Sequence, residues 1–204
     1  MKLQNPPRKS GNAAPAEHCI FDSLALKRNR KRCQNSFKSA SYLFDWAEKD
    51  LLQRLEMINR TFPTAVQLGT KGKALSSPKI ERLLCADSTA EYTNIQIDPE
   101  TLPFAPQSLD LVISNLFLHN INDLPGTLLQ IRQSLKPDGL FIASMLGGET
   151  LYELREVLTE AELSLKGGIS PRIHPFADKQ QMGALLQRAG FALPVVDSEI
   201  LTVS

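Results

Sequence analysis

"LDLVISNLFL", residues 109 to 118, is apolar at nearly every position and shows little alternation. A strand covered on one face alternates with a period of two, whereas a strand covered on both reads as a continuous apolar run. The stretch therefore predicts a central strand of a parallel sheet. Parallel neighbours need crossover connections, and helical patterns flank the run on both sides.

Downstream, Asp123 can cap a helix with Pro125 in its first turn and Leu124, Leu128, Ile131 and Leu135 facing inward. "KPDG" (136 to 139) reads as a turn and "LFIASML" (140 to 146) as the next buried strand. Thr150 and Glu153 form a capping-box pair opening a helix whose apolar side carries Leu151, Leu154, Val157, Leu158 and Ala161. Gly167, Gly168, Pro171 and Pro175 mark a loop. Asp178 and Gln181 repeat the capping signature for a helix with Met182, Leu185, Leu186 and Ala189, closed by Gly190. "LPVVDSEILTVS" (193 to 204) reads as one or two final strands.

Upstream, Leu43, Phe44, Ala47, Leu51, Leu55 and Ile58 recur at three and four residues, predicting a helix within 41 to 60 that packs on the sheet. Pro63 closes that helical region, and "TAVQL" (64 to 68), "ERLLCAD" (81 to 87) and "TNIQID" (93 to 98) are short strands. Strands alternating with helices give an α/β doubly wound sheet, whose ligands bind at the carboxyl ends of the strands.

The chain has 204 residues, 42% of them hydrophobic, which suits one domain with a buried core. Lys and Arg number 23 against 22 Asp and Glu, so the whole chain offers no electrostatic argument for a polyanionic partner. The first 40 residues are nonetheless basic, carrying Lys27, Arg28, Arg30, Lys31 and Arg32 close together. Residues 1 to 19 read as a flexible basic tail, with a weak organelle presequence as the other reading, and 20 to 204 as the domain, with N-terminal helices between 22 and 60. Cys19, Cys33 and Cys85 are odd in number and scattered, as in a reducing compartment. They form no metal-ligand spacing with His18, His119 and His174, so no metal site is expected. No apolar run reaches the roughly 18 residues that a membrane span requires.

Three strand ends converge on one crevice. "VQLGTKGKAL" (66 to 75) runs from a strand into a turn holding Gly69 and Gly72, Asp87 ends the second strand, and Asp98 ends the third. Glycines let backbone amides approach a ligand, and a carboxylate after the next strand can accept both hydroxyls of a ribose. A polar side chain near Asp98 can read an adenine amino group. Asn115, just past the buried strand, can line the same pocket or serve as a plain turn former. His119 is a candidate base or a packing group. Tyr152 reads as a crevice residue or an ordinary helix-edge residue, and Arg172 and His174 as part of a lid or plain surface.

"LPFAPQSLDLVISNLFLHNINDLPGTLLQIRQSLKPDGLFIASMLGGETLYELR" (102 to 155) resembles the second half of a class I S-adenosylmethionine-dependent methyltransferase. Asp110 matches the acidic start of the family's fourth strand and "LKPDG" the turn before its fifth. "IFDSLALKRNRKR", "NDLP", "GGETLYELR", "GGISPRIHPF" and "LLQRAGF" are similar to a branch that includes a mitochondrial complex I assembly factor, an arginine hydroxylase, and its bacterial relatives. The malonyl-carrier-protein methyltransferases of biotin synthesis resemble the chain more loosely.

The resemblance implies a Rossmann-like, mostly parallel sheet, with helices clipped in the short segments from Lys73 to Asp87 and from Asp87 to Asp98. It implies S-adenosylmethionine as cofactor, with the cofactor turn at Gly69 to Lys73, the ribose acid at Asp87 and the adenine-side acid at Asp98. Gln67 stands where the family has an acid, able to bind the methionine amino group without its charge. Lys71 and Lys73 stand where it has glycines, and lysine is disfavoured at positive φ. The basic segment around Lys27 to Arg32 falls on a helix beside the pocket, as a solvated face or partner contact rather than a nucleic-acid site. The reading that results is a methyltransferase acting on an acceptor such as a protein, in bacterial cytoplasm or, in a eukaryote, the mitochondrial matrix. Arginine hydroxylation on a respiratory-complex subunit and a non-catalytic assembly protein are its two alternatives.

Overall fold

In the computed structural model, residues 19–33, 36–71, 73–89 and 93–202 are described. Most of the basic tail and Gly72 lie outside them. In chain order the elements are α1 (Ser23–Cys33), α2 (Tyr42–Glu56), β1 (Phe62–Leu68), β2 (Ile80–Asp87), β3 (Ile95–Gln96), β4 (Leu109–Asn115), α3 (Leu124–Ser134), β5 (Leu135–Ser144), α4 (Tyr152–Lys166) and α5 (Lys179–Arg188).

The strands form one sheet in the order β3-β2-β1-β4-β5, and every pairing is parallel. After β1 the chain steps outward through β2 and β3, then returns to the other side of β1. The carboxyl ends of β1 and β4 therefore flank the topological switch point, where open α/β sheets bind ligands. β4 is covered on both faces, as its apolar run requires. Leu111 and Ile113 pack with Leu51 and Leu55 of α2, while Val112 packs with Ile131 of α3. Each such side chain, removed from water, contributes about 1.5–3 kcal/mol before chain entropy is charged against it.

Local signals account for several boundaries. Asp123 accepts from Gly126 N at 2.9 Å and starts α3. Asp178 and Gln181 form a reciprocal capping box on α5, and Gly190 follows it with φ +83°. "KPDG" bulges out of the β4–β5 ladder: Leu109 pairs with Leu135 but Leu111 with Leu140. Lys136 Nζ reaches both oxygens of Asp110 at 2.9 Å, and Asp110 also accepts from Thr64 N, tying β1, β4 and the bulge together. Residues 73 to 79 carry no helix. Instead Leu75 inserts into the α2-side core, and the buried Gln67 holds that segment by accepting from Leu75 N and donating to Lys73 O.

Other expectations are corrected. Pro63 is the second residue of β1 rather than a helix stop; α2 already ends at Glu56. β3 is only two residues long. No capping box opens α4. Its first helical residue is Tyr152, preceded by Leu151 at φ +55°, and Arg155 donates to the Gly148 and Thr150 carbonyls at that end. The apolar side expected to pack is largely open to solvent, with Leu154 46% and Val157 63% exposed, because no strand beyond β5 lies beneath it among the described residues. Residues 193 to 202 form no strand. Val196 packs in the α5 cluster and Asp197 meets Arg54 of α2 at 2.8 Å, contacts other than a ladder with the edge of β5.

Candidate functional site

At the end of β1 the chain turns on Gly69. Its φ is +77°, and a Cβ there would lie 2.4 Å from the Phe117 ring, so both backbone and space require glycine. Gly69 N donates to Ala86 O at 2.9 Å, which brings the turn against the end of β2. Lys71 follows with φ +43°, the strained conformation for a side-chain-bearing residue. Its backbone N points toward Asp87 Oδ2 at 3.4 Å.

Asp87 is 2% exposed. Its Oδ1 accepts from Ser88 N and from Arg30 Nη1 at 2.9 Å. Arg30 comes from α1, also donates to Ser88 Oγ, and sits 5.0 Å above the Phe117 ring. Helix α1 thus lies across the carboxyl ends of the strands. Just before it, Phe21 exchanges two hydrogen bonds with Asn122, clamping this segment to the loop after β4.

The Lys71 side chain turns into the crevice. Nζ donates to Leu116 O at 3.1 Å and lies 3.4 Å from the centroid of the Phe44 ring. Burial, reinforced by the charge of Arg30 and opposed by that of Asp87, pushes its pKa down to about 7. Lys73 instead faces outward, pairing with Asp45 and Glu48 of α2.

Asn115 at the end of β4 is buried and fully engaged: Nδ2 donates to Phe44 O and Oδ1 accepts from Ser144 Oγ. It fixes the height of α2 over the sheet. His119 follows in a single turn of 3-10 helix (Leu118–Asn120). Burial, with the charge of Lys71 added, pushes it down to about 3, so it is neutral at ordinary pH, and its Nδ1 has no hydrogen-bond partner among the described residues. His174 stacks between Phe21 at 4.1 Å and Phe176 at 4.6 Å, with His119 edge-on to it. The loop bearing His174 is pinned by Glu162, which accepts from Ser170 and Arg172.

Gly69, Asp87, Gln67 and Asn115 therefore meet at the carboxyl ends of β1, β2 and β4. Asp98 stands apart: it lies two residues beyond β3, exposed, and accepts from Glu100 N. Tyr152 is exposed at the start of α4. Sequence reasoning did not single out Arg30, Phe44 and Phe117. The placement of the basic segment beside the pocket was the one signal for Arg30. Among the described residues, no cluster of three or more His, Cys, Asp or Glu forms, and no helix is long and apolar enough to cross a membrane.

Comparisons with known proteins converge on this architecture. A family model described as a methyltransferase domain matches residues 73–143. The chain is 39% identical over 203 residues to the mitochondrial arginine hydroxylase NDUFAF5 of Danio rerio, covering 91% of this chain and 63% of that protein. It is 30% identical over 205 residues to the malonyl-[acyl-carrier protein] O-methyltransferase of Xylella fastidiosa, covering 91% of this chain and 68% of that protein. Among solved structures, a SAM-dependent methyltransferase of Thermotoga maritima superposes with a TM-score of 0.54 at 16% identity, over 79% of each chain, a likeness of fold.

Proposed function

Given that the chain belongs to the methyltransferase-domain family that includes the malonyl-[acyl-carrier protein] O-methyltransferases and the arginine hydroxylase NDUFAF5, we propose that it binds S-adenosylmethionine at the switch point and methylates a protein or protein-bound acceptor. The observation that carries this reading is the meeting of Gly69 and Asp87. A turn that only glycine can make abuts a buried carboxylate that can only accept hydrogen bonds. That pairing suits an adenosyl group: the turn admits it closely and the carboxylate takes the ribose hydroxyls.

Bound there, S-adenosylmethionine supplies a methyl group made electrophilic by the sulfonium. The protein's own part is alignment, which accounts for much of the rate in displacements of this kind. Asp87 holds the ribose end in exchange for Arg30. Gln67, whose amide now braces the Leu75 segment, and Asn115, which seats α2, act as positioning residues in the wall. His119, with its pKa near 3, does not hold a proton at neutral pH, so the acceptor arrives already nucleophilic or loses its proton elsewhere.

A second reading is favoured by one observation: the 39% identity is to proteins named as arginine hydroxylases. The chain spans 63% and 61% of the length of two of these. On that reading the acceptor is an arginine of a respiratory-complex subunit, and the compartment in a eukaryote is the mitochondrial matrix. Incubation with candidate subunits, followed by mass spectrometry, separates the two: added methyl supports the first and added oxygen the second. Calorimetric titration with S-adenosylmethionine tests the step common to the cofactor reading. Absence of binding leaves an assembly protein whose crevice is filled by its own side chains.

A further inference from the structure

Lys71 is the residue least suited to a ligand-binding turn, yet it is built into it. Its ammonium contacts a backbone carbonyl, Leu116 O, and the face of an aromatic ring, Phe44. Both groups favour positive charge while carrying no formal charge of their own, and neither needs lysine in particular. Phe44 is set by Asn115, which bonds the Phe44 carbonyl, so the ring belongs to a fixed wall. The nearby carboxylate, Asp87, is committed to Arg30 and Ser88. Two cations of the chain, Lys71 and Arg30, thus take up the two electronegative features of the crevice.

We propose that the Phe44 ring and the Leu116 carbonyl form a subsite for an organic cation, that Lys71 is its tethered resident, and that the sulfonium of S-adenosylmethionine enters by displacing it. The proposal rests on the cofactor reading above and adds what controls entry. Displacement has a cost that depends on the charge of the resident.

The groups facing Lys71 are Arg30 from α1, Asp87 from the end of β2, and His119 from the turn after β4, which stays neutral. On α2, which contributes Phe44, Asp45 and Glu48 are paired with Lys73. Below about pH 7 Lys71 is charged in the crevice; above it the buried amine is neutral, and its displacement into water, where lysine returns toward its ordinary 10.5, takes up a proton. Sulfonium binding therefore weakens as pH rises above 7.

The test is calorimetric titration of S-adenosylmethionine into the full chain and into Lys71→Met at pH 6.0 and pH 8.5. The ratio of the two Kd values cancels ionisations of the ligand itself. The Kd of the wild type relative to that of the variant is expected to rise about tenfold or more from pH 6.0 to pH 8.5. Lys71→Arg, charged throughout, takes up no proton, and its Kd relative to that of Lys71→Met is expected to be the same at both pH values. Equal Kd values for wild type and Lys71→Met at both pH values, or a ratio that does not change with pH, overturn the inference and leave the cofactor reading standing. No binding by any of the three proteins overturns both.

Discussion

Arg30 Nη1 lies 2.9 Å from Asp87 Oδ1, across 57 positions of sequence, and this ion pair joins the first helix to the end of the second strand. The Asp87 side chain is buried, whereas the Arg30 side chain is 21% exposed and its guanidinium rests on Phe117. Removing the partner of a buried charge costs more than the pair contributes, because the remaining charge stays desolvated. Arg30→Met is expected to lower the stability of the ligand-free protein by about 1–3 kcal/mol, less than for a fully buried pair. S-adenosylmethionine at about a hundred times its Kd should return about 2.7 kcal/mol. Urea unfolding with and without the ligand measures both; an unchanged midpoint in the variant would show that the pair does not hold α1.

Gly69→Ala places a methyl 2.4 Å from Phe117 Cδ2 on a backbone at φ +77°. The conformational penalty and the overpacking together should cost about 2–4 kcal/mol. A urea midpoint that falls with an unchanged slope is the expected result. A loss below about 0.5 kcal/mol would mean that the turn relaxes freely.

Glu162 is held down to about 2 by hydrogen bonds from the Ser170 backbone and hydroxyl and by Arg172. A carboxylate lowered on folding stabilises the folded state fully above its ordinary value near 4.5, and that contribution is lost as pH falls through about 2. Thermal melts of wild type and Glu162→Gln should differ at pH 5 and converge by pH 2. A gap that persists unchanged would show that the carboxylate does not pin the loop bearing His174.

Much of the architecture was legible because it rests on short-range chemistry. The unbroken apolar run at 109 to 118 announces a strand covered on both faces, and Asp123, Asp178 and Gln181 mark helix starts by hydrogen bonds within one turn. The missing helix after β1 followed from the few residues available. Thr150 and Glu153 carry the same capping pattern but lose to Leu151 in the left-handed conformation, with Arg155 closing the turn. The segment from 193 onward, read as strand, does not pair with the outer edge of β5, since Asp197 and Val196 are held elsewhere.

Within the site, Gly69, Asp87 and Asn115 were readable because strand ends in a parallel sheet share one edge. The lysine side chain folded back onto Phe44 and the arginine from α1 were not. Each is a contact between distant segments, set by which way a long side chain turns, and periodicity carries no record of that.

The most direct test is calorimetric titration of S-adenosylmethionine into wild type and Asp87→Ala at pH 8.5, with circular dichroism to verify that the variant folds. Saturable binding by the wild type and at least tenfold weaker binding by Asp87→Ala are predicted, a difference of about 1.4 kcal/mol or more. Equal affinity in the two proteins, or no binding by the wild type, would contradict the assignment of this crevice.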